Sequence, residues 1–269
     1  MIASPVLKYP GAKWSIADWI IQNLPKHTTY LEPFFGSGAV FFRKSRSKVE
    51  TINDIDGNVV NLFYVIREQP EELARLIEWT PWSRDEYYAS YETTGNSLED
   101  ARIFLVRSWQ AFGFRPSDRT GWRCNIKDLN GNIGSWDKKL PQMILQAAER
   151  LRGVQIENQP ALKVIKRYSQ PGVLIYADPP YPLGTRSNRM YAHEMTDTDH
   201  QELLELLNGH PGPVLLSGYA CQLYDERLIH WERLTAKAYA EGGRERREVL
   251  WLNQVAAESV KPYFGKQIR

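Results

Sequence analysis

Asp178-Pro179-Pro180-Tyr181 closes an apolar run from Val173 to Ala177. An acid, a rigid corner and an aromatic ring form an odd ending for a buried strand. Asp178 and the backbone carbonyl of Pro179 both accept hydrogen bonds, and the prolines stiffen the turn that displays them. Tyr181 supplies a flat face. The four residues can hold an amino group attached to an aromatic ring: acceptors for its hydrogens, a ring against its plane. Taken alone the tetrapeptide reads as a turn, and its place in the chain gives it weight.

Two further features fall at strand ends. In "YLEPFFGSGAVFF" Gly36 and Gly38 flank Ser37 just before a helical pattern begins. Glycines there make a tight strand-to-helix turn and let backbone approach a ligand. The spacing lacks the third glycine of a dinucleotide fingerprint, and Glu32 precedes the turn. A carboxylate at that place repels a pyrophosphate and suits a ligand that carries positive charge. In "TINDIDGN" Asp54 stands where an acid at the next strand tip reaches ribose hydroxyls.

These tips need a sheet to align them. Strand-like segments occur at Thr29–Leu31, Lys48–Asn53, Val154–Ile156, Val173–Ala177, Val214–Ser217, Trp231–Ala238 and Glu248–Leu252. Most are short and rich in Val, Ile and Leu, as strands covered on both faces are. Helical patterns lie between several of them, so the chain reads as an α/β, doubly wound protein. Ser15 with Asp18, and Thr198 with Gln201, have capping-box spacing ahead of two of the helices. Asn208-Gly209-His210-Pro211 stops the second. The last two strand-like segments have no helix between them, which predicts an antiparallel hairpin at the end of the sheet. In open α/β sheets ligands bind outside the carboxyl ends of the strands, where all three features fall.

The rhythm breaks from about 58 to 147. There "NVVNLFYVIRE", "PEELARLIEW" and "SLEDARIFLVRSWQAF" are helical, followed by the Gly/Asn/Trp-rich "GWRCNIKDLNGNIGSWD". This predicts a helical unit inserted between the second and third strands, with residues 1–57 and 148–269 forming the sheet domain. Residues 101–140 hold eight basic against three acidic residues, interleaved with Trp109, Phe112, Phe114, Trp122 and Trp136. That mixture suits a surface gripping phosphates, and equally a solvated loop over core aromatics.

The 269 residues are 42% hydrophobic and 25% charged with a net charge of +2, an ordinary globular composition. No apolar stretch approaches a membrane span, and "MIASPVLKYPGAKW" lacks a signal-peptide core. Cys124 and Cys221 offer neither a disulfide framework nor metal-ligand spacing. The expectation is a cytoplasmic, reduced protein without a metal. His193 and His200 are expected in surface or capping roles.

In order along the chain, "KYPGAKW", "EPFFGSG", "NDIDGNVVNLF", "DPPY", "VLLSGYACQLYD" and "REVLWLN" resemble the motifs of the Dam-like, D12 class of DNA adenine-N6 methyltransferases. The resemblance implies a seven-stranded, Rossmann-like sheet that binds S-adenosylmethionine, and a target-recognition role for the helical insert on double-stranded DNA. It assigns Tyr9, Lys13, Glu32, Pro33, Phe34, Gly36, Ser37, Gly38, Asp54 and Asp178 to the cofactor. Asp178, Pro179, Pro180 and Tyr181 become the catalytic turn for a flipped adenine, with a monomer expected. Arg115, Arg119, Arg123 and Lys127 are the candidates for phosphate contacts. Two departures stand out. Ala12 replaces a frequent glycine, and Pro160 takes the place of an acid after the third strand, leaving Asn158 or Gln159 to meet the cofactor adenine. Methyl transfer to RNA or to a protein amide, and a DNA-binding relative without catalysis, remain alternatives at this point.

Overall fold

Short apolar runs such as VLIYA and VLLSG become strands where both of their faces are covered, and the described residues form seven strands in one sheet. They are β1 (Thr29–Glu32), β2 (Val49–Asn53), β3 (Gln155–Glu157), β4 (Val173–Ala177), β5 (Val214–Gly218), β6 (Glu232–Tyr239) and β7 (Glu245–Leu252). The computed structural model describes residues 4–124, 132–185, 189–239 and 245–264. The sheet order is β3-β2-β1-β4-β5-β7-β6. Strands β1 to β5 pair in parallel, whereas β7 runs antiparallel to both β5 and β6. The expected terminal hairpin is present, with its second strand slotted between the first and the parallel sheet.

The helices are α1 (Ala17–Gln22), α2 (Ala39–Arg43), α3 (Gly57–Glu68), α4 (Pro70–Trp79), α5 (Arg84–Ala89), α6 (Ser97–Gln110), α7 (Asn132–Lys138), α8 (Leu140–Leu151), α9 (Ala161–Arg167), α10 (Asp197–Asn208), α11 (Gln222–Arg227) and α12 (Gln254–Phe264). Alternate residues of β4 and β5 point to opposite faces. Leu174, Tyr176 and Leu215 join one apolar cluster, while Val173, Ile175, Ala177, Val214 and Leu216 join the other. The second cluster is closed by α9, α10 and α11 through Val164, Leu203, Leu207 and Tyr224.

Among the described residues six helices, α3 to α8, lie between β2 and β3, where a helical insert was expected. Their apolar faces, including Phe63, Ile77, Phe104, Trp136 and Ile144, share one cluster with Tyr30, Leu174 and Tyr176 of the sheet. Helix α5 was not anticipated, and α7 forms at the end of the Gly/Asn/Trp-rich stretch. Trp109 and Trp136 are buried, so these two aromatics of the basic segment serve the core.

Both expected capping boxes are corrected. Helix α1 has Ile16 at its N-cap without a side-chain cap, and Asp18 instead accepts from Arg43 at 2.6 Å. Helix α10 starts two residues earlier than expected, capped by a reciprocal pair of Thr196 and Asp199. Once Thr196 takes the cap, Thr198 is already inside the first turn. His200 is also corrected: it is fully buried and bonded to the Tyr224 hydroxyl at 3.0 Å, not a surface or capping residue.

One polar cluster ties the helices to the sheet. Glu50 of β2 is buried; it accepts from Lys44 and Arg150 at 2.5 Å each, and Arg150 of α8 also reaches the Phe41 carbonyl at 3.0 Å. Burial pushes the Glu50 carboxyl up, but the Arg150 and Lys44 hydrogen bonds overcome this and hold it at about 2. Removing one partner from a buried pair strands the other charge. Arg150→Ala should therefore lower the stability to urea by about 3 kcal/mol near neutral pH. Because the Glu50 carboxyl is depressed in the fold, its stabilisation is complete above the ordinary value of 4.5 and is lost as pH falls towards 2. The wild-type advantage should shrink across that window, and an advantage constant with pH would contradict the assignment.

Candidate active site

The carboxyl ends of β1, β2 and β4 open onto one cavity of about 280 Å³. Its position follows from the parallel topology, which brings the three strand tips to one edge. The side chain of Asn53, the last residue of β2, fixes their spacing. Its amide donates to the carbonyls of Pro33 (2.9 Å) and Gln159 (3.0 Å), and its oxygen accepts from the Gln159 amide (3.0 Å). One buried side chain thus laces the loops after β1 and β3 to β2.

The loop after β1 is shaped by packing and by an acid. Phe35 sits edge-on against Phe41 and Phe63, and Gly38 adopts φ 65° at the start of α2. A Cβ on Gly38 would overlap the Phe35 ring and crowd Phe42, so this position requires glycine on two counts. Ser37 accepts from the Trp14 indole at 3.0 Å. Asp54 accepts from the Gly36 amide at 2.7 Å and from the Asp56 amide at 2.9 Å. Burial nevertheless lifts its carboxyl to about 6, the two amide bonds offsetting only part of the cost.

Glu32, 2% exposed, accepts from the Tyr30 hydroxyl at 2.6 Å. Burial drives it up to about 8, the Tyr30 bond pulls it back, and the charge of Asp178 adds to the rise. Asp178 itself is held at both oxygens: Lys13 pairs with Oδ2 at 3.0 Å, and the Ser217 hydroxyl donates to Oδ1 at 2.8 Å. Burial disfavours the Lys13 ammonium, but Asp178 and Glu248 outweigh this and keep it firmly protonated. Lys13 also donates to the Gly11 carbonyl at 2.6 Å and stands 4.8 Å over the Tyr181 ring.

Of the residues expected at the cofactor, Tyr9, Lys13, Glu32, Pro33, Phe34, Gly36, Ser37, Gly38, Asp54 and Asp178 all line the cavity. Pro180 lines it too, whereas Pro179 and Tyr181 pack behind it. Asn158 stands outside, donating to the carbonyls of Asp54 (2.8 Å) and Ile55 (3.2 Å). Gln159 is likewise engaged with Asn53, and the wall after β3 is made by Pro160, Ala161 and Leu162. Among the described residues no cluster of three metal-ligating side chains occurs, and no helix is long and apolar enough to cross a membrane.

The basic candidates sit on the loop after α6. Backbone bonds from Phe112 to Gly121 and from Arg123 to Gln110, both 2.7 Å, close this loop into a short two-stranded turn. Arg119 lies 4.6 Å over Tyr91, and Arg123 donates to the Ala111 carbonyl at 3.1 Å. Arg115 is half-buried, and Lys127 lies outside the described residues. The turn touches the cavity mouth, where Phe114 packs on Tyr9 and Ser117 donates to the Arg189 carbonyl.

Several residues escaped the sequence reading. Asp56 lines the cavity while capping α3 and accepting from Tyr9 at 3.3 Å. Tyr191, His193 and Glu194 reach the cavity from the segment after the Asp178–Tyr181 turn. Glu248 accepts from the Tyr181 hydroxyl at 2.7 Å. The Asp-x-Asp spacing of "NDID" is a visible signal for Asp56; Glu248 falls inside "REVLWLN", which carries the family resemblance without giving this acid a role, and Tyr191, His193 and Glu194 sit in a loop that no motif marks.

Comparison with known proteins gives these contacts a family. The model for D12 class N6 adenine-specific DNA methyltransferases matches residues 9–238. The Type II methyltransferase M1.LlaDCHI of Lactococcus lactis subsp. cremoris is 29% identical over 71% of this chain and 70% of its own. The DNA adenine methylase of Escherichia coli strain K12 is 25% identical over 90% of this chain and 91% of its own. That of Salmonella typhi is 25% identical over 92% and 94%. With a match over most of its length, and the strand-tip residues gathered around one acid-lined cavity, the chain belongs to the D12 class of N6 adenine-specific DNA methyltransferases.

Proposed function

We propose that the cavity binds S-adenosylmethionine and that Asp178-Pro179-Pro180-Tyr181 presents a flipped adenine of double-stranded DNA for methylation at N6. The observation that carries this reading is the placement of Asp178. It stands at the end of β4 on the lining of the same cavity as Glu32 and the Gly36–Gly38 loop, and Lys13 and Ser217 hold its side chain.

The donor set fits the cofactor's charge. Glu32, Asp54, Asp56, Asp178, Glu194 and Asp199 line the cavity, against a single lysine, Lys13. Such a wall repels phosphates and attracts a sulfonium and an ammonium. The apolar end at Pro160, Ala161 and Leu162 offers shape and backbone rather than a carboxylate to a purine. The cofactor supplies a methyl group activated by its positive sulfur.

The residues of the chain prepare the acceptor. An adenine amino group is a weak nucleophile because its lone pair is delocalised into the ring. A carboxylate has about four acceptor sites, so Asp178 can serve Lys13, Ser217 and one amino hydrogen together. The Pro179 carbonyl takes the second hydrogen, which favours a tetrahedral nitrogen with its lone pair exposed. Tyr181 contributes ring surface behind the turn. Flipping the base costs a few kcal/mol, and phosphate contacts from Arg115, Arg119, Arg123 and Lys127 offset it. Residues 58–147 would then form the target-recognition unit beside a catalytic part made of 1–57 and 148–269, in a protein acting as a monomer.

Purified protein given methyl-labelled S-adenosylmethionine with duplex DNA, RNA and protein should label the DNA, at the adenine amino group. Asp178→Asn, which keeps shape but replaces one acceptor oxygen by a donor, should lower turnover by about a hundredfold or more with duplex binding retained. Label confined to RNA or protein, or normal turnover in that variant, would overturn the proposal.

A second test needs no turnover. A cation entering the cavity favours the ionised forms of Glu32, raised to about 8, and Asp54, raised to about 6. Binding at neutral pH should release protons, and affinity should rise with pH up to about 8. Calorimetry in two buffers of different ionisation enthalpy measures that release. It should be larger for S-adenosylmethionine than for the uncharged sulfur of S-adenosylhomocysteine; equal release would remove Glu32 from the sulfonium. For the DNA face, Arg115→Ala and Arg119→Ala should each weaken duplex binding irrespective of sequence and reduce the salt slope by about one, as read by anisotropy titrations over a range of salt.

A further inference from the structure

The antiparallel strand of the sheet delivers a carboxylate that the parallel strands cannot. Strands β1 to β5 reach the site with their last residues. Strand β7 runs the other way, so its early residues lie at the same edge. Val249 pairs with Gly218, the last residue of β5, which places Glu248 one step further out, beside Tyr219 as that chain leaves the sheet.

Glu248 is 7% exposed and accepts from the hydroxyl of Tyr181, itself 6% exposed, at 2.7 Å. The Tyr219 side chain acts on it too, pulling the carboxyl back against the rise that burial causes. The two tyrosine rings meet edge to face, centroids 4.5 Å apart at 68°. One carboxylate therefore holds the ring of the catalytic turn by a direct hydrogen bond, and that ring rests on the second. Its charge acts on Lys13 as well, the same ammonium that pairs with Asp178.

A neutral acceptor would satisfy the Tyr181 phenol at lower cost, since a buried carboxylate must be desolvated. The charge itself needs a reason, and Lys13 provides it. With Asp178 as sole counter-ion, a buried lysine would draw the full strength of that carboxylate into one ion pair. A second acid divides the pull and leaves Asp178 a better acceptor for a substrate hydrogen. We propose that Glu248 is a positioning residue for methyl transfer, fixing the Tyr181 ring through its hydroxyl and sharing the Lys13 charge with Asp178. This rests on the methyl-transfer reading of the site.

The two roles separate by substitution. Wild-type methylation of DNA, with the modified motif located by sequencing, is the control that carries the underlying reading and stands or falls apart from Glu248. Duplexes with 2-aminopurine at the modified adenine then report base extrusion, while label transfer reports kcat and KM. Glu248→Ala should lower kcat about tenfold or more and weaken the 2-aminopurine signal, as a misplaced ring and carboxylate would. Glu248→Gln keeps an acceptor for Tyr181 without the charge, so the fluorescence signal should recover while kcat stays low. Tyr181→Phe should lower the signal in the wild-type background and change little on top of Glu248→Ala. Wild-type kcat in both Glu248 variants, or full additivity of Tyr181→Phe with Glu248→Ala, would overturn the inference. Glu248→Gln, close in shape to the native side chain, guards against loss of the fold as the cause.

Discussion

The Lys13 ammonium is 5% exposed, pairs with Asp178 at 3.0 Å and stands over the Tyr181 ring, and the charge of Glu248 on β7 acts on it as well. A lone buried ammonium is costly, and here two acids and a backbone carbonyl compensate it. The consequence is mechanical as well as electrostatic. Lys13 comes from the loop ahead of α1, outside the sheet, so its ion pair pins that loop across the cavity. Gly11 makes the approach possible: its φ is 73°, and any Cβ there would overlap the Tyr191 hydroxyl. Residues 9–13 and the segment at Tyr191 therefore form one wall, also marked by the Tyr9–Tyr191 ring contact.

The opposite wall has the reverse balance. Among the described residues buried Glu32 and half-buried Asp54 have no ion pair with a cation, and desolvation raises their carboxyls, to about 8 and about 6. Burial of an acid without a counter-ion is tolerated where something else benefits from it. On the proposed reading the benefit goes to a cationic cofactor, which supplies the missing charge on binding. A pyrophosphate ligand would face the opposite situation, and this is the physical difference between the present glycine turn and a dinucleotide-binding one. The rear of the sheet contrasts with this arrangement: Glu50 has both Lys44 and Arg150, and its carboxyl is held low.

What the sequence made legible depended on how local the signal was. The apolar runs of β4 and β5, the glycine turn before α2 and the acid after β2 are written in adjacent residues, and all appear where expected. The order of strands was not written anywhere locally. Nor was the choice of Thr196 over Thr198 as a cap, which turns on where the chain enters α10 after the cavity wall. Residues 58–110 and 132–147 fall mainly in helices, as their patterns suggest, yet their shared core with the sheet is a matter of which faces meet, and no period reveals that. Trp109 and Trp136 look like their aromatic neighbours in a basic segment, but burial separates them from Phe112, which is exposed. Asn158 and Gln159 were the polar groups expected to meet a ligand, but the Asn158 side chain braces the Asp54 loop, and Gln159 holds Asn53 through its backbone while its side chain accepts from Lys163.

Glu248 shows most plainly why part of the site stayed hidden. The rule that ligands meet the carboxyl ends of strands applies to a parallel sheet, and it located Glu32, Asp54 and Asp178. A reversed strand inverts the rule, so its contribution comes from Glu248 at the start of the segment Glu248–Leu252, the end to which the rule assigns no ligand. The reversal also frees β5 to end in Ser217 and Gly218, bringing a hydroxyl to Asp178 and leaving space for Tyr219 to turn towards Tyr181. Asp178 is thus braced on one oxygen by a parallel neighbour and, through Lys13, on the other by a charge shared with the antiparallel one. The fold supports a single acceptor from three chain segments far apart in sequence, and the stiffness of that acceptor depends on all three.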